Sequence, residues 1–510
     1  MLAALTSLGI SGIDGFLVRV EVNLAHGMPA FEIVGLPDAA VKESRERVRA
    51  AVKNCGFRFP SERLTVNLAP ADVKKEGPAF DLPIALGALG CAEVLSPGVF
   101  ADTAVFGELS LDGSVRGVRG ALPMVISALE KGVRRVMLPR DNLREVLCIE
   151  GIDLLPVEHL IEAAAHFSGG KPIQPAAPVK YRDLLGAREH SADFQYVKGQ
   201  SSAKRALEIA AAGGHNVLLI GPPGSGKTLM ARCLPTILPD MSFAEALETT
   251  RIHSVAGSVP ETGLLLERPF RSPHHTASHV SLVGGGINAL PGEISKAHNG
   301  ILFLDELPEY RRDVLEALRQ PLEDGEVTIA RANAQSTYPA QFTLVCSMNP
   351  CPCGNLGSRV HACRCSPAQI RRYLNRISGP LLDRIDMHIE VESIPAERLS
   401  DSRKEESSAV IRERVERARA IQAERYQNEP LIRTNARLDA RTLADACPMT
   451  SDAAALLKLS CDKLNFSNRA YTRILKVART IADLEESEII RTEHVSEAVQ
   501  YRTLDRKYWG

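Results

Sequence analysis

At 510 residues the chain is too long for one hydrophobic core, and about two to four domains are expected. A hydrophobic content of 45% and a charged content of 24% are ordinary globular values and exclude a disordered or fibrous protein. The formal net charge of −1 excludes a global positive field for nucleic acid, although a ring could still confine basic residues to its pore.

The N-terminus, Met1-Leu2-Ala3-Ala4-Leu5, has neither a basic segment nor a cleavage site, so no signal peptide is expected. No run reaches the roughly 18 apolar residues of a membrane span. The 11 cysteines are odd in number and mostly scattered, which favours reduced thiols in the cytoplasm over a disulfide framework.

Residues 16–24 alternate Val18, Val20 and Val22 with Arg19, Glu21 and Asn23, the period of a half-buried strand. Asp38 opens a helical stretch that Gly56 closes, with Val41, Val48 and Val52 on one side. Lys42, Arg45, Arg47, Arg49 and Lys53 make this helix a candidate basic surface; Glu43 and Glu46 dilute it, and a solvated helix is the plainer reading. Strand-like runs recur at 64–68, 104–109 and 133–138, giving a mixed α+β domain over residues 1–168. Pro172, Pro175 and Pro178 mark a linker at 169–190. An α/β pattern fills 191–394. After Pro395 only helical patterns remain, so 395–510 reads as helical; the longest stretch, about 401–427 from Asp401, places Ile411, Val415 and Ala418 at helical spacing.

Residues 217–220 are a short apolar run, and Gly221, Pro222, Pro223, Gly224, Ser225, Gly226, Lys227 and Thr228 follow at once, with a helical stretch at 229–234. This is G-x-x-x-x-G-K-T between a strand and a helix. Glycines let backbone N–H groups face phosphate oxygens, and the helix N-terminus adds a favourable dipole. Lys227 can reach the β- and γ-phosphates of ATP, and the Thr228 hydroxyl can ligate Mg2+. A second apolar run, 301–304, ends in Asp305 and Glu306. Asp305 would hold Mg2+ and Glu306 would orient the attacking water. A third, 342–346, leads to Asn349, placed to bond the γ-phosphate or the water, and Arg384 lies farther on in Leu381-Leu382-Asp383-Arg384-Ile385-Asp386. Taken alone, Asn349 reads as a turn residue and Arg384 as a surface ion pair.

Cys351-Pro352-Cys353-Gly354 and Cys363-Arg364-Cys365 put four thiols close together in sequence. Four thiolates can hold Zn2+ tetrahedrally, and Gly354 and Gly357 would let the loop wrap a metal. His361 could replace one cysteine; free thiols or a redox switch are the alternatives. A metal here would brace the loop after Asn349 and could present Arg359 and Arg364 to a partner.

The chain resembles the magnesium-chelatase-like AAA+ ATPases, most closely the ComM/YifB group, over essentially its whole length. The residues that carry the resemblance are Asp193-Phe194, Gly199-Gln200 and Arg205-Ala206-Leu207-Glu208 before the loop, then Pro273-His274-His275-Thr276, Gly284-Gly285-Gly286 and Pro291-Gly292-Glu293-Ile294-Ser295 before the acidic pair. The resemblance implies an AAA+ P-loop core with a C-terminal helical lid. Asn349 would be its sensor 1, Arg384 an arginine finger acting in trans, and Arg469 its sensor 2, with Arg473 as a rival. A trans arginine requires an oligomer, and the family implies a homo-hexamer. Pore loops of such a ring would be 271–279, with His274, His275 and His279, and a hairpin at 327–339 carrying Arg331 and Asn333; the histidines could equally be packed or hydrogen-bonded interior groups.

Lys75-Glu76-Gly77-Pro78-Ala79 and residues 107–113 are similar to motifs of the Lon-type peptidase fold. In that register Ala79 stands at the nucleophilic serine and Leu122 near the lysine, so the N-terminal α+β domain is Lon-like without the dyad. The implied activity is an ATP-driven DNA translocase that promotes branch migration in recombination. The alternative is a chelatase-type ATPase that remodels a partner protein.

Overall fold

The computed structural model of the chain describes residues 1–186, 192–286, 289–331, 334–357, 361–394, 404–429, 432–464 and 466–509. The alternation at Val18, Val20 and Val22 forms the strand Asp14–Ala25, with all three valines fully buried. It pairs antiparallel with Leu2–Ser11, in the register Leu5 to Val20. That first strand gives little signal in the sequence: its inward positions include Ala3 and Ser7, too small to make an apolar stripe. Seven strands join in the order Ala30–Val34, Arg63–Ala69, Asp14–Ala25, Leu2–Ser11, Thr103–Val105, Arg135–Pro139, Asp153–Val157. The strand expected over 104–109 is two pieces, Thr103–Val105 and Glu108–Leu109. Gly107 breaks it, its N–H donating to Ala79 and its carbonyl accepting from Leu82 instead of from a neighbouring strand.

Asp38 caps the helix Ala39–Asn54 by accepting from the Val41 N–H at 2.8 Å, and Val41, Val48 and Val52 face the core. The helix Asp81–Cys91 beneath it is buried along its whole length. The basic surface shrinks: Arg47 turns inward to clamp the fully buried Asp81, and Arg49 lies over the Phe59 ring at 5.6 Å. Lys42, Arg45 and Lys53 remain exposed. Between 171 and 180 the chain forms no helix or strand, as its prolines predict, but it lies along the first sheet, Ala176 donating to Leu154 and Val179 to Leu147.

The second sheet is five parallel strands in the order Phe270–Arg271, Ile301–Leu304, Thr343–Met348, Val217–Ile220, Met387–Glu390. The three central strands are buried at nearly every position, which is why they read as continuous apolar runs without alternation. Helices Ser408–Arg425, Ser451–Leu464, Asn468–Leu484, Thr492–Gln500 and the short Leu504–Trp509 follow, with Ile411, Val415 and Ala418 buried as their spacing predicts. The first of these starts later than expected. Asp401 lies outside the described residues, and 404–407 are not helical, because Ser408 is held by Asp193 and by the Phe194 N–H across the core.

The two sheets are joined through the helices Ala121–Glu130 and Phe243–Ala256. Gly120 N donates to the Ser254 carbonyl at 3.1 Å, and the Ser254 hydroxyl donates to buried Glu145 at 2.6 Å. Leu264 packs in the same apolar cluster as Leu122 and Val125.

Candidate nucleotide site and cysteine cluster

Three parallel strands end side by side, and each delivers one part of the site. Val217–Ile220 runs into Gly221, Ile301–Leu304 into Asp305, and Thr343–Met348 into Asn349. Ligands of parallel sheets bind at this carboxyl edge. A cavity of about 390 Å3 is lined there by Gly224, Lys227, Thr228, Asp305, Glu306 and Asn349, among others. Gly224 and Gly226 adopt φ of 74° and 89°, the left-handed region that glycine allows, and a Cβ at either would meet nothing. Backbone conformation, rather than space, requires these two glycines. At Gly221 the reverse holds: a Cβ would lie 2.3 Å from the Val391 carbonyl oxygen.

Lys227 opens the helix Lys227–Cys233, and its ammonium folds back onto the carbonyls of Gly221 at 2.7 Å and Pro222 at 2.9 Å, with Asn349 Oδ1 at 3.3 Å. Burial pulls its pKa down to about 8, against the opposing pull of Asp305 and Glu306. The Thr228 hydroxyl donates to Asp305 at 2.9 Å, and Ser347 donates to the other Asp305 oxygen. A hydroxyl and a carboxylate oxygen in contact beside a phosphate loop are the donor set that suits Mg2+. Sequence reasoning missed Ser347, which fixes the Asp305 rotamer; its only signal was its place two residues before Asn349.

Glu306 adopts φ of 53°, uncommon for a residue with a side chain. Its carboxylate is half exposed and lies 3.5 Å from His275 Nδ1. His275 therefore touches the acidic pair, while His274 and His279 are exposed. Tyr310 holds the same segment by donating to the Pro273 carbonyl at 2.6 Å. The expected hairpin forms, Glu326–Arg331 against Ala334–Pro339. Asn333 lies outside the described residues, and Tyr338 is buried, donating to Ala289 at 2.9 Å.

Arg384 and Arg469 are not in this cavity. The Arg384 carbonyl accepts from Asn216 Nδ2 at 3.0 Å, and Asn216 precedes the strand whose far end carries Gly221. Four residues of strand, about 3.3 Å each, separate the two. The Arg384 guanidinium is almost fully buried, paired with Glu323 and donating to Pro380 at 2.6 Å. Arg469 is exposed at the start of the helix Asn468–Leu484. One turn on, Arg473 pairs with the buried Asp386 and donates to the Arg384 carbonyl. Burial alone would raise the Asp386 pKa, but Arg473 and His215 hold it well below the usual carboxylate range.

The sulfurs of Cys351, Cys353, Cys363 and Cys365 all lie within 4.8 Å of one another. Cys351 to Cys353 is 3.5 Å, and Cys363 is 3.7 Å from each. Zn–S bonds of about 2.3 Å in a tetrahedron place sulfurs about 3.8 Å apart, so the spacing fits Zn2+. His361 is not part of this group, and Arg359 lies outside the described residues. The cluster touches the phosphate loop: a Cβ on Gly354 would lie 2.5 Å from Pro223 Cδ.

Ala79, in a single turn at Pro78–Phe80, and Leu122, in the helix Ala121–Glu130, are buried in one apolar cluster. Neither carries a nucleophile or a base. Lys75, also buried, turns its ammonium to the carbonyls of Pro70 and Val73.

Three family descriptions match the chain in succession: "Subunit ChlI of Mg-chelatase" over residues 20–142, "Magnesium chelatase, subunit ChlI" over 193–399, and "Magnesium chelatase, subunit ChlI C-terminal" over 405–502. The chain is 44% identical to the uncharacterized protein YifB of Escherichia coli over 97% of its own length and 96% of that protein's. It is 43% identical to the competence protein ComM of Haemophilus influenzae over 99% and 98%. A partial likeness, 22% identity over 41% of this chain, links it to the Lon protease of Leptospira interrogans.

Proposed function

We propose, on the premise that the chain belongs to the ComM/YifB family of magnesium-chelatase-like AAA+ proteins, that it is an ATP-driven DNA translocase acting in recombination. Membership implies an ATPase that uses ATP and Mg2+. The observation that carries the finer reading is the contact between His275, in a segment expected to face DNA, and Glu306, in the acidic pair. It gives substrate a route to the hydrolytic site. The name of the ComM relative supports a role in competence, where incoming DNA recombines.

In this reading Lys227 leaves the carbonyls of Gly221 and Pro222 for the β- and γ-phosphates, and the loop N–H groups bind the remaining oxygens. Thr228 and Asp305 hold Mg2+, which when bound neutralises charge on the phosphate oxygens. Glu306 orients the attacking water, and Asn349 bonds the γ-phosphate or that water. Arg384 and Arg469 serve the site of a neighbouring copy in a homo-hexameric ring; Arg473, committed to Asp386, is the anchor rather than the sensor. Cys351, Cys353, Cys363 and Cys365 hold a structural Zn2+ that braces the loop after Asn349. The chain divides into a Lon-like domain at 1–168 without peptidase chemistry, a linker at 169–190, the ATPase core at 191–394 and the lid at 395–510. The cytoplasm is the proposed location; no helix among the described residues is long and apolar enough to cross a membrane.

The test is ATP turnover with and without forked or four-way DNA at fixed salt, because phosphate contacts are salt-dependent. Branched DNA is expected to raise turnover several-fold, and unchanged turnover would sink the DNA reading. The chelatase-type alternative, supported by the family description, expects no DNA effect and stimulation by a partner protein.

A further inference from the structure

At the edge of the core sheet opposite the phosphate loop, a small cavity of about 80 Å3 opens where Gly300 and Phe342 precede their strands. Four arginines line it: Arg268 from the core, Arg419 from the helix Ser408–Arg425, and Arg433 and Arg437 from the segment that follows. Two have carboxylate partners. Arg268 pairs with Glu245 at 3.1 Å, and Arg433 pairs with Glu248 at 3.2 Å. The other two do not. Arg419 donates only to the Ala211 carbonyl, at 2.8 and 3.1 Å. The Arg437 guanidinium makes no hydrogen bond or ion pair among the described residues, and Asp386 is the charge that opposes its burial. Glu245 is the one carboxylate on the cavity wall among the described residues, and Arg268 already occupies both of its oxygens.

Two guanidiniums held in a confined space with no carboxylate in contact are costly unless an anion joins them. Burial shows the cost at Arg419, whose pKa is pulled down to about 9. A planar fork of N–H donors matches phosphate oxygens, and the cavity holds one such group but not a nucleotide. We propose that this cavity binds one small tetrahedral oxyanion, of the class of inorganic phosphate, between Arg419 and Arg437. The anion would bridge the helical lid to the base of the ATPase core. This inference is independent of the DNA reading.

The full chain carrying Lys227→Ala, in which the phosphate loop is weakened, is titrated calorimetrically with sodium phosphate at constant ionic strength. One site per chain with a dissociation constant below about 1 mM is expected. Arg437→Gln and Arg419→Met should each weaken it by about tenfold or more, since both lose a charge-assisted bond. Arg437→Lys, which keeps charge and fold, should fall between. Arg441→Gln, on the exposed part of the lid, should leave it unchanged. No saturable binding up to about 10 mM, a range where even weak single sites register, overturns the proposal. So does unaltered affinity in Arg437→Gln and Arg419→Met alike. Sulfate should compete and acetate should not; acetate binding as tightly as phosphate would overturn the tetrahedral assignment.

Discussion

Glu306 combines a left-handed backbone with one ion pair among the described residues, to His275 at 3.5 Å. That histidine belongs to the segment 271–279, which the sequence suggested as a DNA contact, with packed or hydrogen-bonded histidines as the alternative. If His275 couples DNA to the carboxylate, His275→Ala should keep basal turnover within about threefold and reduce DNA stimulation about fivefold, the low end of coupling energies near 1 kcal/mol. His275→Asn, which keeps a polar group near the carboxylate, should recover part of the stimulation. Steady-state ATPase assays with and without branched DNA read both effects; wild-type stimulation in His275→Ala would remove the coupling role. At this scale the sequence named the side chains that the structure brings together around the loop, Lys227, Thr228, Asp305, Glu306 and Asn349, but could not place them. The motif fixed Lys227 and Thr228, whereas Ser347 and the inward turn of Arg47 depend on which side chains meet across strands.

Among the elements, the cysteine loop and the helix Asn468–Leu484 each support the site from behind. The loop packs Gly354 against Pro223, so its rigidity reaches the phosphate loop directly. Elemental analysis of protein purified without chelator should find about one zinc per chain, the stoichiometry of a four-cysteine site. Cys351→Ser should lose the metal and weaken ATP affinity about three- to tenfold, in line with the cost of disturbing a site's supporting shell. Full occupancy in that variant, or unchanged affinity without metal, contradicts the bracing role. The helix is tied by Arg473 to Asp386, a carboxylate that the fold keeps ionised. Its folded pKa lies below the unfolded value of about 3.9, so the stability it contributes is present above about pH 4 and is lost as the pH falls below it. Asp386→Asn should cost about 3 kcal/mol at pH 7 by breaking a pair whose carboxylate is buried and leaving a half-buried arginine unpaired, and the gap from the parent protein should narrow below pH 4. Chemical unfolding at several pH values measures it; a gap independent of pH would show that the pair is not the source.

For the whole molecule, the place of Arg384 bears on what the functional unit is. It sits at the end of the strand layer remote from its own phosphate loop, so a role in catalysis requires another copy of the chain. Lys227→Ala and Arg384→Ala proteins should each have under about 10% of the parent turnover, a loss of about 1.4 kcal/mol or more in transition-state stabilisation. Mixed, they should recover activity at those interfaces that pair an intact loop with an intact arginine; no recovery at any ratio refutes the trans assignment. The sequence by itself determined the nucleotide loop, the acidic pair, the cysteine cluster and the family. Each of these is a local pattern: glycines that free backbone N–H groups, an apolar run that ends in carboxylates, four thiols within a short stretch. Tertiary structure alone decided that Leu2–Ser11 is a strand, that His275 reaches Glu306, that Gly354 props Pro223, and that two arginines face one small cavity with no carboxylate in contact. These join residues far apart in the chain, and their pairing follows from how strands and helices pack rather than from any spacing along the sequence.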